Sequence, residues 1–278
     1  MLIDTHAHLN FSAYKDDLDK VIKRTLNENI WMINIGSKYE TSKRAVEIAE
    51  RYKEGVYAAV GLHPIYSIAG LVKIKTDPEE GNFVAGEEDF DKEKYKRLAE
   101  SKKVVAVGEI GLDYYYRPKT KRKLELFKEK QKEVFLEQLN FAQELKLPVI
   151  FHCRTAHNDL IKILNYTLQT THHKLNGVIH CFTGNWQQAK EYLDMGFCLG
   201  FNGIVFKLHL DEIIKKTPLE KILIETDCPY LTPPEAGEKR NEPIFVKYIA
   251  EKIAKIKNID YEKIAEFTTI NARNLFGI

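Results

Sequence analysis

No stretch of the 278 residues approaches the roughly 20 consecutive apolar positions that a membrane-spanning helix requires. The opening MLIDTHAHLN places charge and histidine where a signal peptide needs an apolar core. Cysteine is scarce: the four residues Cys153, Cys181, Cys198 and Cys228 form no CxxC pair, the arrangement on which most cysteine metal and redox motifs depend. They read as reduced thiols, and a cytoplasmic location is expected. Charge of one sign is also lacking. Lysine and arginine number 42 against 40 acids, a net of +2, so overall charge points to no nucleic-acid partner, although local patches remain open. No fixed-period repeat is present, and no obligate protein partner is evident.

What is present is an ordinary globular balance, 44% hydrophobic and 29% charged. Short runs rich in valine and isoleucine recur at Leu2–Thr5, Ile30–Ile35, Val56–Gly61, Val104–Gly108, Leu147–His152, Gly177–Cys181, Phe197–Phe201 and Ile222–Glu225. They are too short for helices and suit buried parallel strands. Between and after them, Tyr14–Asn29, Thr41–Lys53, Thr120–Leu145, Asp159–Leu168, Trp186–Met195, Leu210–Lys216, Pro243–Ile256 and Tyr261–Leu275 carry apolar residues at helical spacing. Strand followed by helix, repeated around the chain, predicts an α/β fold, a TIM (β/α)8 barrel filling residues 1–278 as one domain. A doubly wound open sheet is the structural alternative. Residues 65–92 lack periodicity and read as a long loop or insertion, and Thr232–Glu242 as a second loop held by Pro233, Pro234 and Gly237.

The chemistry-bearing residues fall at one place in this pattern. His6 and His8 close the first run, Glu109 follows the fourth, His152 ends the fifth, His180 the sixth, and Asp227 follows the eighth. In a closed parallel barrel the C-terminal strand ends meet at one face, so these residues converge. The spacing of His6 and His8 has a direct cause: side chains two apart on a strand share a face, so both imidazoles can reach one metal. A lone HxH is a weak signal and a lone histidine is more often structural, but six candidate ligands at five strand ends form a pattern. Four histidines and two carboxylates exceed the needs of one tetrahedral zinc. The surplus predicts two divalent cations and a bridging carboxylate. Glu109 suits that bridge, since Gly108 and Gly111 let the backbone crowd the site and no lysine stands there to replace it. Asp227 can ligate metal and can also take a proton from water acidified by the metal. Its structural alternative is a turn residue before Pro229. Imidazoles favour zinc, while carboxylates and phosphoryl chemistry admit magnesium or manganese.

Around this set lie candidate substrate contacts. Arg154, two residues past His152, can hold a phosphate in a forked pair of hydrogen bonds, or pair with a nearby carboxylate. His63, in GLHP, stands at the mouth, with a structural role beside Pro64 equally open. Arg240, with Asn241 and Tyr230, can reach substrate from the rim loop or simply be solvated. Cys153, Cys181 and Cys228 each follow a candidate ligand by one residue, so strand alternation turns them toward the helix layer as small hydrophobes. The segment RPKTKRKLELFKEKQK, Arg117–Lys132, can attract a phosphate backbone, although a solvated helix face is the usual meaning of such a run. His157, His172, His173 and His209 carry no assigned chemistry.

The segments IDTHAHL, GLHP, VGEIGLDYY, PVIFHCR, HCFTG, ETDCPYLTP, RNEP and NARNLFG together resemble the TatD-type metal-dependent hydrolases, described as deoxyribonucleases. The resemblance covers nearly the whole chain in the family's order. It implies a TIM barrel, one metal held by His6, His8, Glu109 and Asp227, and a second by Glu109, His152 and His180. Arg154 and His63 match positions near the phosphate-binding mouth. The implied activity is hydrolysis of DNA phosphodiesters from a 3′ end. Two departures stand out: residues 65–92 are longer than the family pattern, and the loop before Arg240 is shorter. Two rivals remain at this level, a barrel hydrolase of small esters, lactones or amides, and a metal-stabilised nucleic-acid-binding protein without turnover.

Overall fold

A computed structural model of the chain describes residues 1–68, 71–72, 80, 88–170 and 175–278. Most of the 65–92 insertion, and His172 and His173, lie outside the described residues. In chain order the main elements are β1 (Leu2–Ala7), α1 (Leu18–Asn27), β2 (Ile30–Ile35), α2 (Tyr39–Glu50), β3 (Val56–Val60), α3 (Lys92–Ala99), β4 (Val104–Asp113), α4 (Lys121–Leu145) and β5 (Val149–Arg154). Then come α5 (His157–Thr170), β6 (Gly177–Ile179), α6 (Trp186–Asp194), β7 (Cys198–Phe201), α7 (Asp211–Lys216), β8 (Ile222–Ile224), α8 (Val246–Lys257) and α9 (Tyr261–Phe276).

The eight strands pair in sequence order, every neighbour parallel. This is the TIM barrel that the alternation predicts. The seam between β8 and β1 is closed past the end of β8. Ala7 bridges Cys228, and the Asp227 amide donates to the His6 carbonyl at 2.8 Å. Beneath it the buried Asp4 carboxylate accepts the Thr226 hydroxyl at 2.6 Å and the Thr226 amide at 2.8 Å. The strand edges are thereby satisfied without a regular ladder.

Two apolar cores follow from strand alternation. The larger lies between strands and helices. The smaller takes at least one residue from every strand, among them Ile3, Ile33, Ala59, Ile150, Val178 and Leu223, and is completed by Ala272 and Phe276 of α9. It fills the barrel lumen, so the opposite end is the one left for chemistry.

Two sequence assignments are corrected. Helix α3 falls where no helix is predicted: its eight residues bury only Tyr95, too sparse an apolar pattern to read, and Asp91 caps it by accepting the Lys94 amide at 3.2 Å. Strand β4 runs five residues past the predicted end at Gly108, and Ile110–Asp113 pair with Phe151–Arg154. Two buried glutamines on α4 support these strand ends. Gln131 exchanges hydrogen bonds with the Asp113 backbone at 2.8 Å each way, and Gln138 does the same for Leu62 at 2.7 and 2.9 Å.

Candidate metal centre

The site begins with a bulge. Along β4 and β5, Gly108 faces Ile150 and Ile110 faces Phe151, so Glu109 is the extra residue between them. An unpaired bulge residue turns its side chain out of the ladder, and the Glu109 amide instead donates to Gly36 at 3.2 Å. Close approach requires glycine here. A Cβ on Gly111 (φ +151°) would lie 2.0 Å from the His152 carbonyl oxygen.

The buried Glu109 carboxylate meets histidines from four other strand ends. Its Oε1 lies 3.7 Å from His6 Nε2 and 3.6 Å from His8 Nε2. Its Oε2 lies 2.9 Å from His152 Nδ1, 3.8 Å from His180 Nε2 and 4.0 Å from His63 Nε2. Asp227 Oδ1 approaches His6 and His8 at 3.8 and 3.5 Å. The two Nε2 atoms of His6 and His8 are themselves 3.1 Å apart. His8 Nδ1 sits 3.0 Å from the Ile35 carbonyl, which fixes its proton there and leaves the Nε2 lone pair facing inward.

The His6 and His8 Nε2 atoms therefore stand 3.1 Å apart, and each lies 3.5 to 3.8 Å from both Glu109 Oε1 and Asp227 Oδ1. Donors in tetrahedral contact with a zinc-sized ion sit about 3.4 Å from one another, so the residues fit a cation. A second set is less closed. Glu109, His152 and His180 meet at Glu109 Oε2, yet the His152 and His180 ring centroids are 6.2 Å apart. His152 groups as readily with His63 and Asp113.

The electrostatics of the site follow from its close-packed carboxylates and imidazoles. Burial alone would raise the Glu109 carboxyl, but His63, His152 and His6 outweigh it and hold the group well below its ordinary range. Burial likewise disfavours the His180 imidazolium, yet Glu225, Asp227 and Glu109 raise it to about 10. His152 is raised too, because it lies between Asp113 and Glu109, which overcome its burial. His63 moves the other way, to about 3, through burial and the neighbouring His152. These histidines carry raised or lowered proton affinities set by the same carboxylates that would hold a cation, so metal binding would compete with protons there.

Asp113 and Glu225 escape the sequence assignment. Asp113 ends the unpredicted part of β4, opposite Arg154. Its Oδ2 accepts Arg154 Nε at 3.0 Å and lies 3.2 Å from His152 Nε2. Glu225 lies 2.8 Å from His180 Nδ1 and accepts the Cys181 amide at 2.7 Å. The E-x-D spacing of Glu225 and Asp227 repeats the two-residue logic of His6 and His8, a signal that could have found it.

The six candidate ligands lie together, and all of them except the fully buried His6 line a cavity of about 670 Å³, as do His63 and Arg154. Thr155, Cys181, Asp227 and Leu231 around it hold φ between 45° and 58°, a conformation costly for non-glycine residues and held in place by surrounding structure. Cys181 departs from expectation. Strand β6 ends at Ile179, so alternation no longer governs residue 181. Its half-buried thiol lines the cavity and donates to Asn202 Oδ1 at 3.6 Å. Cys153 and Cys228 pack in the larger core, and His157, although given no role, is buried 3.1 Å from the Tyr192 hydroxyl.

Arg240 is placed among acids rather than on the cavity. It donates to Asp17 at 2.7 and 2.9 Å and to Glu242 at 2.9 Å, above the Tyr14 ring. The Arg240 hydrogen bond holds the Asp17 carboxyl below its ordinary value, against a smaller opposing effect of burial. A depressed folded-state value stabilises the protein above the unfolded one and loses that contribution as pH falls. Asp17→Asn is expected to cost about 1 kcal/mol at pH 7, modest because the pair is partly exposed. Urea unfolding at pH 7 and near pH 3 should show the difference in the first and little in the second.

Residues 3–277 match the family described as TatD related DNase. The chain belongs to the TatD-related DNase family. Over its whole length it is 40% identical to an uncharacterized metal-dependent hydrolase of Bacillus subtilis, covering 100% of both chains. It is 33% identical to the 3′-5′ ssDNA/RNA exonuclease TatD of Pantoea ananatis, again with 100% of both covered. A solved TatD homolog from Escherichia coli superposes with a TM-score of 0.79 at 28% identity, covering 100% of this chain and 98% of that one. Among the described residues no helix is long and apolar enough to cross a membrane.

Proposed function

We propose that this TatD-family hydrolase removes nucleotides from the 3′ end of single-stranded DNA, using two divalent cations that Glu109 and its neighbouring histidines would hold. The observation that carries the reading is the Glu109 carboxylate, with one oxygen toward His6 and His8 and the other toward His152 and His180. A carboxylate so placed is the natural shared ligand of two ions. His6, His8 and Asp227 would hold one ion with Glu109, and His152 and His180 would hold the other. Four imidazoles favour zinc over magnesium, with manganese intermediate. Such ions, when bound, polarise phosphoryl oxygens and acidify water.

The chain's own groups supply the rest. Asp227 is held below its ordinary value by His8, His180 and His6, which overcome burial, so it is ionised and able to take a proton at its cavity-facing oxygens. Arg154 keeps 41% of its side chain exposed while Asp113 grips one edge, leaving other donors for a phosphate oxygen. His63, lowered to about 3, is neutral at physiological pH and contacts substrate without adding charge. The cavity volume lies within the range of small-ligand sites, roughly 300–1,000 Å³. The name of the Pantoea ananatis relative supports the same substrate and polarity.

The test uses a 5′-labelled single strand and a 3′-labelled copy. Stepwise shortening of the first, immediate release of label from the second, and loss of both with EDTA are expected. Turnover of lactones or amides with none on DNA would reject the reading.

A further inference from the structure

Where the β4–α4 connection leaves the cavity, two tyrosines stand in solvent. Tyr115 is 58% exposed and Tyr116 48%. Large exposed aromatic rings side by side are unusual unless something covers them. They are also fixed in place. Asp113 Oδ1 accepts the Tyr115 amide at 2.9 Å, and the other oxygen of the same carboxylate grips Arg154 at 2.8 Å. The Arg154 guanidinium lies over both rings, 4.5 Å from the Tyr115 centroid and 5.4 Å from that of Tyr116. The rings meet edge to face at 4.9 Å. Tyr115 and Arg154 line the same cavity as Glu109 and Asp227.

The chain then continues as RPKTKRK, in which Arg117, Lys119, Lys121, Arg122 and Lys123 are all exposed and no acid intervenes. Farther along α4 the basic segment is already engaged. Lys132 pairs with Asp159 at 2.7 Å, and Lys128 lies over Tyr114. The cationic stretch with no acid of its own is therefore the part that adjoins the exposed tyrosines.

Building on the nuclease reading above, we propose that Tyr115 and Tyr116 form a base-stacking platform. A nucleobase beside the scissile phosphate lies on the Tyr115–Tyr116 surface, Arg154 spans base and phosphate, and the 117–123 cations follow the strand's backbone. Stacking needs a splayed, unpaired base, and every base has a face to offer. The platform thus selects single strands without reading sequence, and a paired terminus is disfavoured because its bases remain within the duplex.

Two 5′-labelled single strands of one sequence test this, one ordinary and one whose last two residues lack bases. The native protein should cleave the ordinary strand better by about 5- to 150-fold in kcat/KM, the range of one base–aromatic stack. Tyr115→Ala should lose that preference and cleave both strands like the native protein on the abasic one. Tyr115→Phe, which keeps the ring, should restore it. Tyr115 is largely exposed, so these variants are expected to fold. Equal loss on both strands, or no loss on either, overturns the platform. A strand with 2-aminopurine at its 3′ end separates this from failure of the nuclease reading. Its fluorescence, measured in EDTA, should be quenched by the native protein and by Tyr115→Phe but not by Tyr115→Ala. Quenching without any cleavage keeps the platform and rejects the nuclease, whereas absence of quenching by the native protein rejects the platform.

Discussion

Glu109→Gln is expected to lower turnover about 10³-fold, the equivalent of roughly 4 kcal/mol of lost charge stabilisation at the reacting phosphate. The amide has nearly the volume of the carboxylate, so the bulge and the Gly108 and Gly111 contacts survive. What changes is charge. Five histidine nitrogens lie 2.9 to 4.0 Å from the two Glu109 oxygens, and four of them belong to the two proposed ligand sets. A neutral amide cannot serve two cations, and its NH2 group points donors at imidazoles whose lone pairs are needed. Both sites should weaken together, so elemental analysis after desalting should find less than one bound metal per chain. The fold should persist, because His152 can release its proton when its counter-charge is removed, avoiding an uncompensated buried cation. Circular dichroism would check that point. Two metals per chain with turnover within tenfold of native would sink the bridging assignment.

How much of this was legible depends on which force fixes each residue. Strand–helix alternation is written locally, so the barrel follows from valine- and isoleucine-rich runs and their spacing. Convergence of His6, His8, Glu109, His152, His180 and Asp227 follows in turn, because a parallel barrel gathers its strand ends whatever the details. Residues placed by tertiary exceptions were not legible. Asp113 depends on β4 running past a bulge into GLDYY, where glycine-rich sequence weakens the strand signal, and pairing with Phe151–Arg154 overrides it. Cys181 depends on β6 stopping at Ile179, which ends the alternation that would have turned its thiol away. Arg240 is a matter of partners. Three carboxylate oxygens from Asp17 and Glu242 are closer to it than anything in the cavity, and no local pattern announces an acid more than 200 positions away. Helix α3 has one buried residue, so its burial pattern carries no period to detect.

Glu225→Gln is expected to raise the metal dissociation constant about 10- to 100-fold, the usual cost of losing a carboxylate that orients a ligating histidine. Glu225 is fully buried, 2.8 Å from His180 Nδ1, and accepts from the Cys181 amide at 2.7 Å and Asn202 Nδ2 at 3.2 Å. With Nδ1 facing Glu225, Nε2 is the atom His180 turns toward Glu109 Oε2. Gly200 leaves room for this carboxylate, since a Cβ there would lie 2.5 Å from Glu225 Oε2. The glutamine fits the same volume and still accepts from Cys181 and Asn202, so the change isolates charge from shape. The negative charge that raises His180 to about 10 also makes Nε2 a stronger donor to metal. Proton and metal compete for that nitrogen, and both are weakened by the amide. Titration against a chelator of known affinity would report the loss, and excess metal should restore much of the lost activity because His180 itself remains. Unchanged metal affinity together with lost activity would show that Glu225 serves the reaction by another route, and the His180 assignment would then fall.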